Sequence, residues 1–175
     1  MASSHINRWL TALVAVPALF SLIYFGSKEM FDVLIVAVIM IGMHEYQTMA
    51  FGSGHAVEKA EGFVFAMLIA VSFYAGDATS SMAVVSFAFL ISFFVYTVRI
   101  KDQVFDVIPA MKLVFGLLYI PLMMSHYILL RNHPQGVLWI FFILFLAFSG
   151  DVAAFYVGRT WGRKKLLPAV SPGKT

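Results

Sequence analysis

The amino-acid sequence contains no cysteine and few charged residues. Cysteine is absent from all 175 positions, which excludes disulfides and thiolate-bound metals. Asp, Glu, Lys and Arg together make up 12% of the chain, against roughly 25% in an ordinary soluble domain. Hydrophobic residues account for 61%, which is more apolar surface than a soluble core can bury. The composition therefore predicts a protein that is embedded in a membrane.

Six apolar runs, each bounded by polar or turn residues, follow one another along the chain. A transmembrane helix needs about 20 predominantly apolar residues, and the runs lack the alternation of membrane-barrel strands. Because lipid offers no hydrogen-bond partner to the backbone, helices are the expected form. The sequence thus predicts an all-α polytopic membrane protein with about six transmembrane helices, near residues 8–25, 30–50, 60–75, 79–98, 110–130 and 137–157.

The first run and the basic residues bear on the orientation of the chain. Trp9 to Phe25 resembles a signal peptide, but it is long for one and no clear cleavage site follows, so we interpret it as a retained span. If the amino terminus is cytoplasmic, ten Lys and Arg residues fall on the cytoplasmic side and two, Lys28 and Arg131, on the other. Basic residues near the ends of spans concentrate in the cytoplasm. A cytoplasmic amino terminus is therefore expected.

The sixth run contains an acidic residue within its expected spanning length. Its purely apolar part, Val137 to Phe148, is too short to cross a bilayer, so the helix is expected to continue through "SGDVAAFYV" to Val157. Asp151 would then lie roughly 9 Å from the cytoplasmic end of the helix. A carboxylate at that depth indicates a functional site. The alternatives are a polar residue that packs between helices and a helix that ends early at Ser149.

The last run is followed by the basic stretch "GRTWGRKKLLPAVSPGKT". Its final letters resemble the end of a phosphate-binding P-loop, but that motif requires a glycine where Pro168 stands and a helix after it. Basic clusters bind anionic headgroups or nucleotide phosphates, while the preference of basic residues for the cytoplasmic side accounts for them equally well. The charge pattern by itself leaves both interpretations open.

Four further polar residues lie inside the runs. His44 and Glu45 fall short of the zinc motif, because Thr48 stands where its second histidine should be. Glu45 could lie at the interface or face the site, and its role stays open. His126 is expected to be a packing histidine with its hydrogen bonds satisfied. Lys112 is expected to extend its amine to the cytoplasmic interface.

Residues 149–175 resemble the phosphatidate cytidylyltransferase (CDP-diacylglycerol synthase) family. Members of that family read approximately D-x-x-A-Y-x-x-G-R-x-F-G-K-x-K-L-x-P-x-[IV]-S-P-x-K-T at this place. Phe155, Trp161 and Arg163 are mild departures from it. The stretches "RWLTALVAVPALFSLIYFG" and "GMHEYQTMAFG" also look like the amino-terminal part of the family. The matching positions are Asp151, Ala154, Gly158, Arg159, Gly162, Lys165, Leu166, Pro168, Val170, Ser171, Pro172, Lys174 and Thr175.

The resemblance implies transfer of a cytidylyl group from CTP to phosphatidic acid, which yields CDP-diacylglycerol and pyrophosphate and uses Mg²⁺ as the cofactor. Both substrates are polyanions, so basic groups and a divalent cation must neutralise their charge. The resemblance implies that Asp151 and Lys174 are catalytic, with Asp151 orienting a basic residue or helping to hold a cation. The implied substrate-binding residues are Ser171, Gly173, Thr175, Arg159 and Lys165.

The resemblance also divides the chain into residues 1–148, the amino-terminal transmembrane helices, and residues 149–175, the start of a catalytic region. In the family, the signature with the metal-binding aspartates comes later, so the main metal carboxylates are expected beyond Thr175. We therefore expect this stretch to be an amino-terminal portion, truncated inside the S-P-x-K-T motif and inactive by itself. The expected location is the bacterial inner membrane, with the active side in the cytoplasm. The expected partners are membrane lipids, besides the two substrates, and no nucleic acid; the chain could also form a homodimer.

A function of a different class is the alternative. In a non-enzymatic transporter half or assembly subunit, Asp151 would relay ions and the basic tail would anchor the chain to lipid. Transporters often show broken helices in two related halves, and a second related half is not seen in the sequence. A transferase that acts on a polyprenol phosphate is a third reading, which the match at Ser171, Pro172, Lys174 and Thr175 disfavours.

Overall fold

The structure, a computed structural model, describes residues 2–76, 78–99, 106–162, 165 and 171. All regular structure in these residues is helical, and no strand occurs among them. The helices are α1 (Ala2–Phe25), α2 (Lys28–Phe51), α3 (Ala56–Tyr74), α4 (Ala78–Arg99), α5 (Ile108–Leu117), a π-helical turn (Leu118–Leu122), α6 (Met123–Asn132) and α7 (Gly136–Trp161).

Within the described ranges, four helical stretches are long and apolar enough to cross a membrane. The described apolar part of α1, Leu13–Phe25, is shorter than a span, and α3 carries Glu58, Lys59 and Glu61 in its first turns. The prediction of an all-α membrane protein is confirmed, whereas six spans and a cytoplasmic amino terminus stay predictions. The four stretches are Lys28–Phe51, Thr79–Val98, Ile108–Asn132 and Gly136–Trp161.

Each of the six apolar runs forms a helix, but one of them is interrupted. The sequence predicted a single regular helix near residues 110–130, and the structure has a π-helical turn at Leu118–Leu122 with Pro121 inside it. Proline has no N–H to donate to the carbonyl four residues earlier, so the regular ladder is broken there. Single π-helical turns inside α-helices accommodate such a break.

The boundaries of α2 follow from local chemistry at both ends. Ser27 precedes the helix, and its hydroxyl accepts a hydrogen bond from the Met30 N–H at 3.3 Å, which satisfies one of the first free donors. At the other end, Gly52 adopts φ +59°, and its N–H donates to the Thr48 carbonyl at 3.1 Å. A positive φ favours glycine because other residues are strained there. The chain therefore turns sharply from α2 toward α3.

The chain divides into two compact units, Met1–Pro134 and Gln135–Thr175; we call them the packed unit and the tail unit. In the packed unit α3 is central, since it contacts α2, α4, α5 and α6. Gly62, Ala66 and Ala70 recur at every fourth residue on its buried face. Small residues at this spacing let neighbouring helix backbones approach closely.

Candidate active site on the last helix

The tail unit is built on α7, whose 26 residues extend over about 39 Å. This exceeds the roughly 30 Å hydrocarbon thickness of a bilayer. The helix continues past Ser149, so an early end at that residue is ruled out. It also continues one turn past the expected Val157, to Trp161, where the Gly162 N–H still donates to the Gly158 carbonyl at 3.1 Å. Asp151 is consequently ten residues, about 15 Å, from the end of α7 rather than the roughly 9 Å expected.

Asp151 and Arg159 are both exposed on α7. They are eight residues apart, which places them about 12 Å apart along the axis, beyond the reach of the i, i+4 pairs that helices form. Two of the nearby hydroxyls are used inside the helix, since Ser149 donates to the Leu146 carbonyl at 3.1 Å and Thr160 donates to the Tyr156 carbonyl at 2.7 Å. The carboxylate and the guanidinium are the charged groups that this part of α7 exposes.

The rest of the predicted site lies in the motif that follows α7. Of its residues, Lys165 is exposed and Ser171 is half-buried. Gly173, Lys174 and Thr175 lie outside the described residues, so the roles of all five stay predictions. The structure brings Asp151 and Arg159 onto one helix that leads directly into the motif.

The packed unit contains a cluster of polar side chains that the sequence did not predict. It consists of Tyr46, Gln47, Lys59 and Lys112, and we call it the α2 cap cluster. The Lys112 amine donates to the Ala50 carbonyl at 2.7 Å, and the Lys59 amine donates to the Gly52 carbonyl. These carbonyls belong to the end of α2, where helical carbonyls lack partners and the dipole favours cations. Both ammonium groups therefore stabilise the end of α2.

Two further hydrogen bonds complete the α2 cap cluster. The Tyr46 hydroxyl donates to the Lys112 carbonyl at 2.6 Å, and the Gln47 amide donates to the Lys59 carbonyl at 3.0 Å. Gln47 is 1% exposed and continues the buried row of Ile39 and Met43 along α2. That four-residue spacing is the signal by which its burial could have been recognised in the sequence. The cluster joins α2, α3 and α5 and is structural in character.

The other polar residues that the sequence singled out are His126, His44 and Glu45. His126 Nδ1 lies 2.7 Å from the Leu122 carbonyl oxygen, and its ring centroid is 5.1 Å from that of Phe73; these contacts agree with a packing histidine, and its role stays a prediction. The His44 ring lies 6.3 Å from that of Phe63. Glu45 is exposed, and no contact of its side chain assigns it a role.

The described residues do not provide a metal site. No group of three or more His, Asp or Glu side chains in the described ranges is arranged to hold an ion. Asp151 supplies a single carboxylate, whereas Mg²⁺ takes six ligands in near-octahedral geometry. The described part of the chain therefore does not fit a magnesium ion by itself, and the Mg²⁺ requirement stays a prediction.

Comparison with known proteins identifies the family. The sequence matches the cytidylyltransferase family over residues 6–175. A phosphatidate cytidylyltransferase of Bacillus subtilis is 30% identical over 97% of this chain and 64% of its own length, and one of Pseudomonas aeruginosa is 23% identical over 97% of this chain and 63% of its own length. The chain thus spans less than two thirds of the length of either enzyme.

A third relative matches more closely over a short stretch. The uncharacterised protein YnbB of Escherichia coli is 48% identical over 44 residues, which are 25% of this chain and 15% of its own length. No solved structure matches the chain. The resemblance read from the tail motif is confirmed, because the family match covers nearly the whole chain: the protein belongs to the cytidylyltransferase family.

Proposed function

We propose that this protein, as part of a complete enzyme, transfers the cytidylyl group of CTP to phosphatidic acid. The observation that carries the proposal is the family match over residues 6–175, which takes in the exposed Asp151 and the motif that ends at Thr175. The names of the Bacillus subtilis and Pseudomonas aeruginosa relatives support phosphatidic acid as the acceptor. The products are CDP-diacylglycerol and pyrophosphate.

The proposed reaction is a displacement at the α-phosphorus of CTP. A phosphate oxygen of phosphatidic acid attacks this phosphorus, and a new P–O–P bond forms. The bond between the α-phosphorus and the oxygen that bridges to the β-phosphate breaks, and pyrophosphate leaves with the electron pair. Because nucleophile and electrophile are both anionic, the barrier falls only if fixed positive charge is aimed at the oxygens where charge develops.

The chain offers such charges on α7 and in the stretch of sequence that follows it. Lys174 is proposed to neutralise the reacting phosphates, and the proposed phosphate contacts come from Arg159, Lys165, Ser171 and the Gly173–Thr175 backbone and side chains. Asp151 is proposed to orient one of the basic groups or to contribute to holding a cation. Its exposed position inside a membrane-spanning helix supports this. A carboxylate inside a membrane costs free energy, so its presence there indicates a functional role.

The proposed location of the reaction is the cytoplasmic face of the bacterial inner membrane. Phosphatidic acid lies in the leaflet and CTP in the cytoplasm, so a site at the end of α7, with its basic residues, could receive both. The concentration of basic residues in the connections supports this orientation. A requirement for Mg²⁺ belongs to the proposal as well and rests on the resemblance and on the charge of the substrates.

The proposal is tested with the protein expressed from its whole gene and reconstituted in phospholipid vesicles. We expect pyrophosphate release that requires both CTP and phosphatidic acid, and that stops on chelation of Mg²⁺ and resumes on its return. Diacylglycerol is the matched control, because it has the same acyl chains but no attacking phosphate. Absence of release with phosphatidic acid, or equal release with diacylglycerol, would contradict the proposal and favour a non-enzymatic membrane component.

A further inference from the structure

Three basic side chains of the packed unit meet at the end of α2. The Lys59 and Lys112 amines both donate to carbonyls there. The Lys112 amine also lies 6.0 Å from the centroid of the Phe51 ring, and the centroid of the His55 ring lies 5.3 Å from the same point. The three groups come from α3, from α5 and from the turn before α3, so the fold brings them together. We call Lys59, Lys112 and His55 the basic triplet.

The basic triplet lies where two membrane-spanning stretches reach the surface of the bilayer. The stretch Lys28–Phe51 ends beside it, and the stretch Ile108–Asn132 begins one turn before Lys112. Lysines near the end of a span extend their amines to the level of the lipid headgroups. Lys112 and His55 are exposed and Lys59 is half-buried. A headgroup phosphate at this surface can therefore reach the triplet.

The basic triplet has hydrogen-bond donors beyond those that hold it in place. An ammonium carries three N–H donors, and the bond to the end of α2 uses one in Lys59 and one in Lys112. The His55 side chain makes no capping hydrogen bond to α3, and its ring offers an N–H in either tautomer. Because the bonds to α2 already fix the two amines, binding an acceptor costs them little further entropy. A phosphate, with its negative charge and several acceptor oxygens, fits this set of donors.

The backbone at His55 is held in a conformation that favours glycine. Its φ is +63°, in the left-handed region, where a side chain costs free energy that glycine does not. Glycines are present in the same turn, at positions 52 and 54, yet position 55 carries an imidazole. Backbone strain of this kind concentrates at binding and catalytic sites. The strain therefore supports a binding role for the His55 ring.

An aromatic strip leads from the basic triplet into the membrane. Lys112, Phe115 and Tyr119 follow one another at spacings of three and four residues, so they share one face of α5 and the π-helical turn. The ring centroids of Phe115 and Tyr119 are stacked 5.6 Å apart, and the Tyr46 ring of α2 lies 6.2 Å from Phe115. Phe115 and Tyr119 are 57% and 64% exposed. The change from charge to exposed rings matches a phospholipid, whose phosphate lies above its acyl chains.

We propose that the basic triplet binds the phosphate of an anionic phospholipid in the leaflet at this end of α2. The phosphate oxygens accept hydrogen bonds from the Lys59 and Lys112 ammonium groups and from the His55 ring, and an acyl chain packs along Phe115 and Tyr119. Basic pockets between transmembrane helices recognise anionic headgroups in this way. The lipid is bound and not converted, so the site does not rest on the proposed function.

The experiment is a lipid competition on the full-length protein. The protein is equilibrated in vesicles of equal parts phosphatidylglycerol and phosphatidylcholine, and the lipids that stay bound are counted by native mass spectrometry. Both lipids carry a phosphate and the same acyl chains, but the basic triplet repels the choline cation. We expect phosphatidylglycerol to be retained about 25-fold over phosphatidylcholine, because each of the two lysines contributes about fivefold.

The lysine variants test which charges produce this preference. Lys112→Met should lower the retention ratio about fivefold, whereas Lys112→Arg keeps the charge and should keep the ratio. Lys28→Met, at the opposite end of α2, is the matched control and should leave the ratio unchanged.

Two more measurements make the proposal decidable. His55→Gly removes the ring and relieves the positive φ, so it should lower the ratio about threefold without lowering the melting temperature, even if Lys112→Met fails to fold. CTP at the concentration of the lipid should not displace phosphatidylglycerol, because it has phosphates but no acyl chain. Equal retention of the two lipids by the wild type, or a ratio that both Lys112→Met and His55→Gly leave unchanged, would overturn the site. Displacement by CTP would overturn its assignment to a lipid.

Discussion

The polar side chains of the α2 cap cluster are used by the fold, whereas the charged side chains of α7 are exposed. Lys112 and Gln47 each hydrogen-bond a backbone carbonyl of a neighbouring helix or turn. Asp151 and Arg159 are exposed on a helix that runs into the family motif. The ammonium groups of the α2 cap cluster therefore stabilise a helix end, and we propose that the charges on α7 serve a ligand. Substitutions in the α2 cap cluster should therefore change stability, whereas substitutions of the charged residues on α7 should change activity.

Asp151→Asn in the full-length protein is expected, together with Lys174→Ala, to have the largest effect of the substitutions considered. The change keeps the shape of the side chain and removes its charge, so it should lower cytidylyl transfer about 100-fold, the loss typical of removing a group that positions charge in a site. The melting temperature should stay the same, because the side chain is exposed. The measurements are initial rates with phosphatidic acid and thermal unfolding of the same preparations.

Ser149→Ala is the matched control for Asp151, since its hydroxyl is used within the same helix. It should leave the rate within about twofold of the wild type, because a solvent-side hydroxyl that bonds its own helix contributes little. A drop in melting temperature for Asp151→Asn, with the rate per folded molecule unchanged, would show instead that Asp151 is a packing residue.

The same glycine-to-alanine change should have opposite signs in the two units. A methyl group at Gly116 would overlap the Tyr46 ring, with its Cδ1 atom at 2.8 Å, and overpacking of this kind costs about 1–3 kcal/mol. Apart from its chain neighbours and the backbone of its own helix, no atom of the described residues lies within 4 Å of a methyl group at Gly150. Gly150→Ala should therefore stabilise α7 by about 0.5–1 kcal/mol through helix propensity. Thermal unfolding in detergent compares the two variants.

The Gly116 result depends on the Tyr46 ring, which is fixed by its hydrogen bond to the Lys112 carbonyl. Tyr46→Phe removes that bond, so the ring can move, and Gly116→Ala should then cost less unfolding free energy than it does in the wild type. If Gly150→Ala proved as destabilising as Gly116→Ala, Gly150 would lie at a packed helix contact, and the contrast between the units would fail.

Lys112→Met should give a small effect on stability. Methionine keeps most of the apolar stem but loses the hydrogen bond to the Ala50 carbonyl and the contact with the Phe51 ring at 6.0 Å. The expected loss is about 1 kcal/mol of unfolding free energy. Lys112→Arg keeps the charge and should therefore lose less unfolding free energy than Lys112→Met. Equal stability of Lys112→Met and the wild type would show that the amine leaves the α2 cap cluster in solution.

The fold was predictable where one local signal determines it. Long apolar runs predicted the helices, and the shortness of Val137 to Phe148 predicted that α7 continues through Asp151. The α2 cap cluster was not predictable from local sequence, because the Tyr46 hydroxyl bonds a carbonyl 66 residues away. The π-helical turn escaped prediction as well, since Pro121 is equally consistent with a kink or a helix start.

The candidate site was predicted mainly by the motif rather than by physics alone. The basic stretch after α7 was equally consistent with orientation in the membrane and with phosphate binding. Only the spacing of Asp151, Ser171 and Lys174, which matches the family motif, favoured phosphate binding. The end of α7 was placed one turn too early, because residues 158–161 read as the start of a basic tail. Helix ends with polar residues are set by the hydrogen bonds of the last turn, which the sequence does not show.

The most direct test compares two lysines, one from each unit. Lys174→Ala and Lys112→Met are introduced into the full-length enzyme, and CDP-diacylglycerol formation per folded molecule is measured beside the melting temperature. The account predicts that Lys174→Ala lowers the rate about 100-fold at an unchanged melting temperature, whereas Lys112→Met keeps the rate and melts earlier. A Lys174→Ala enzyme that retains wild-type activity would contradict the assignment of the active site to the motif that follows α7.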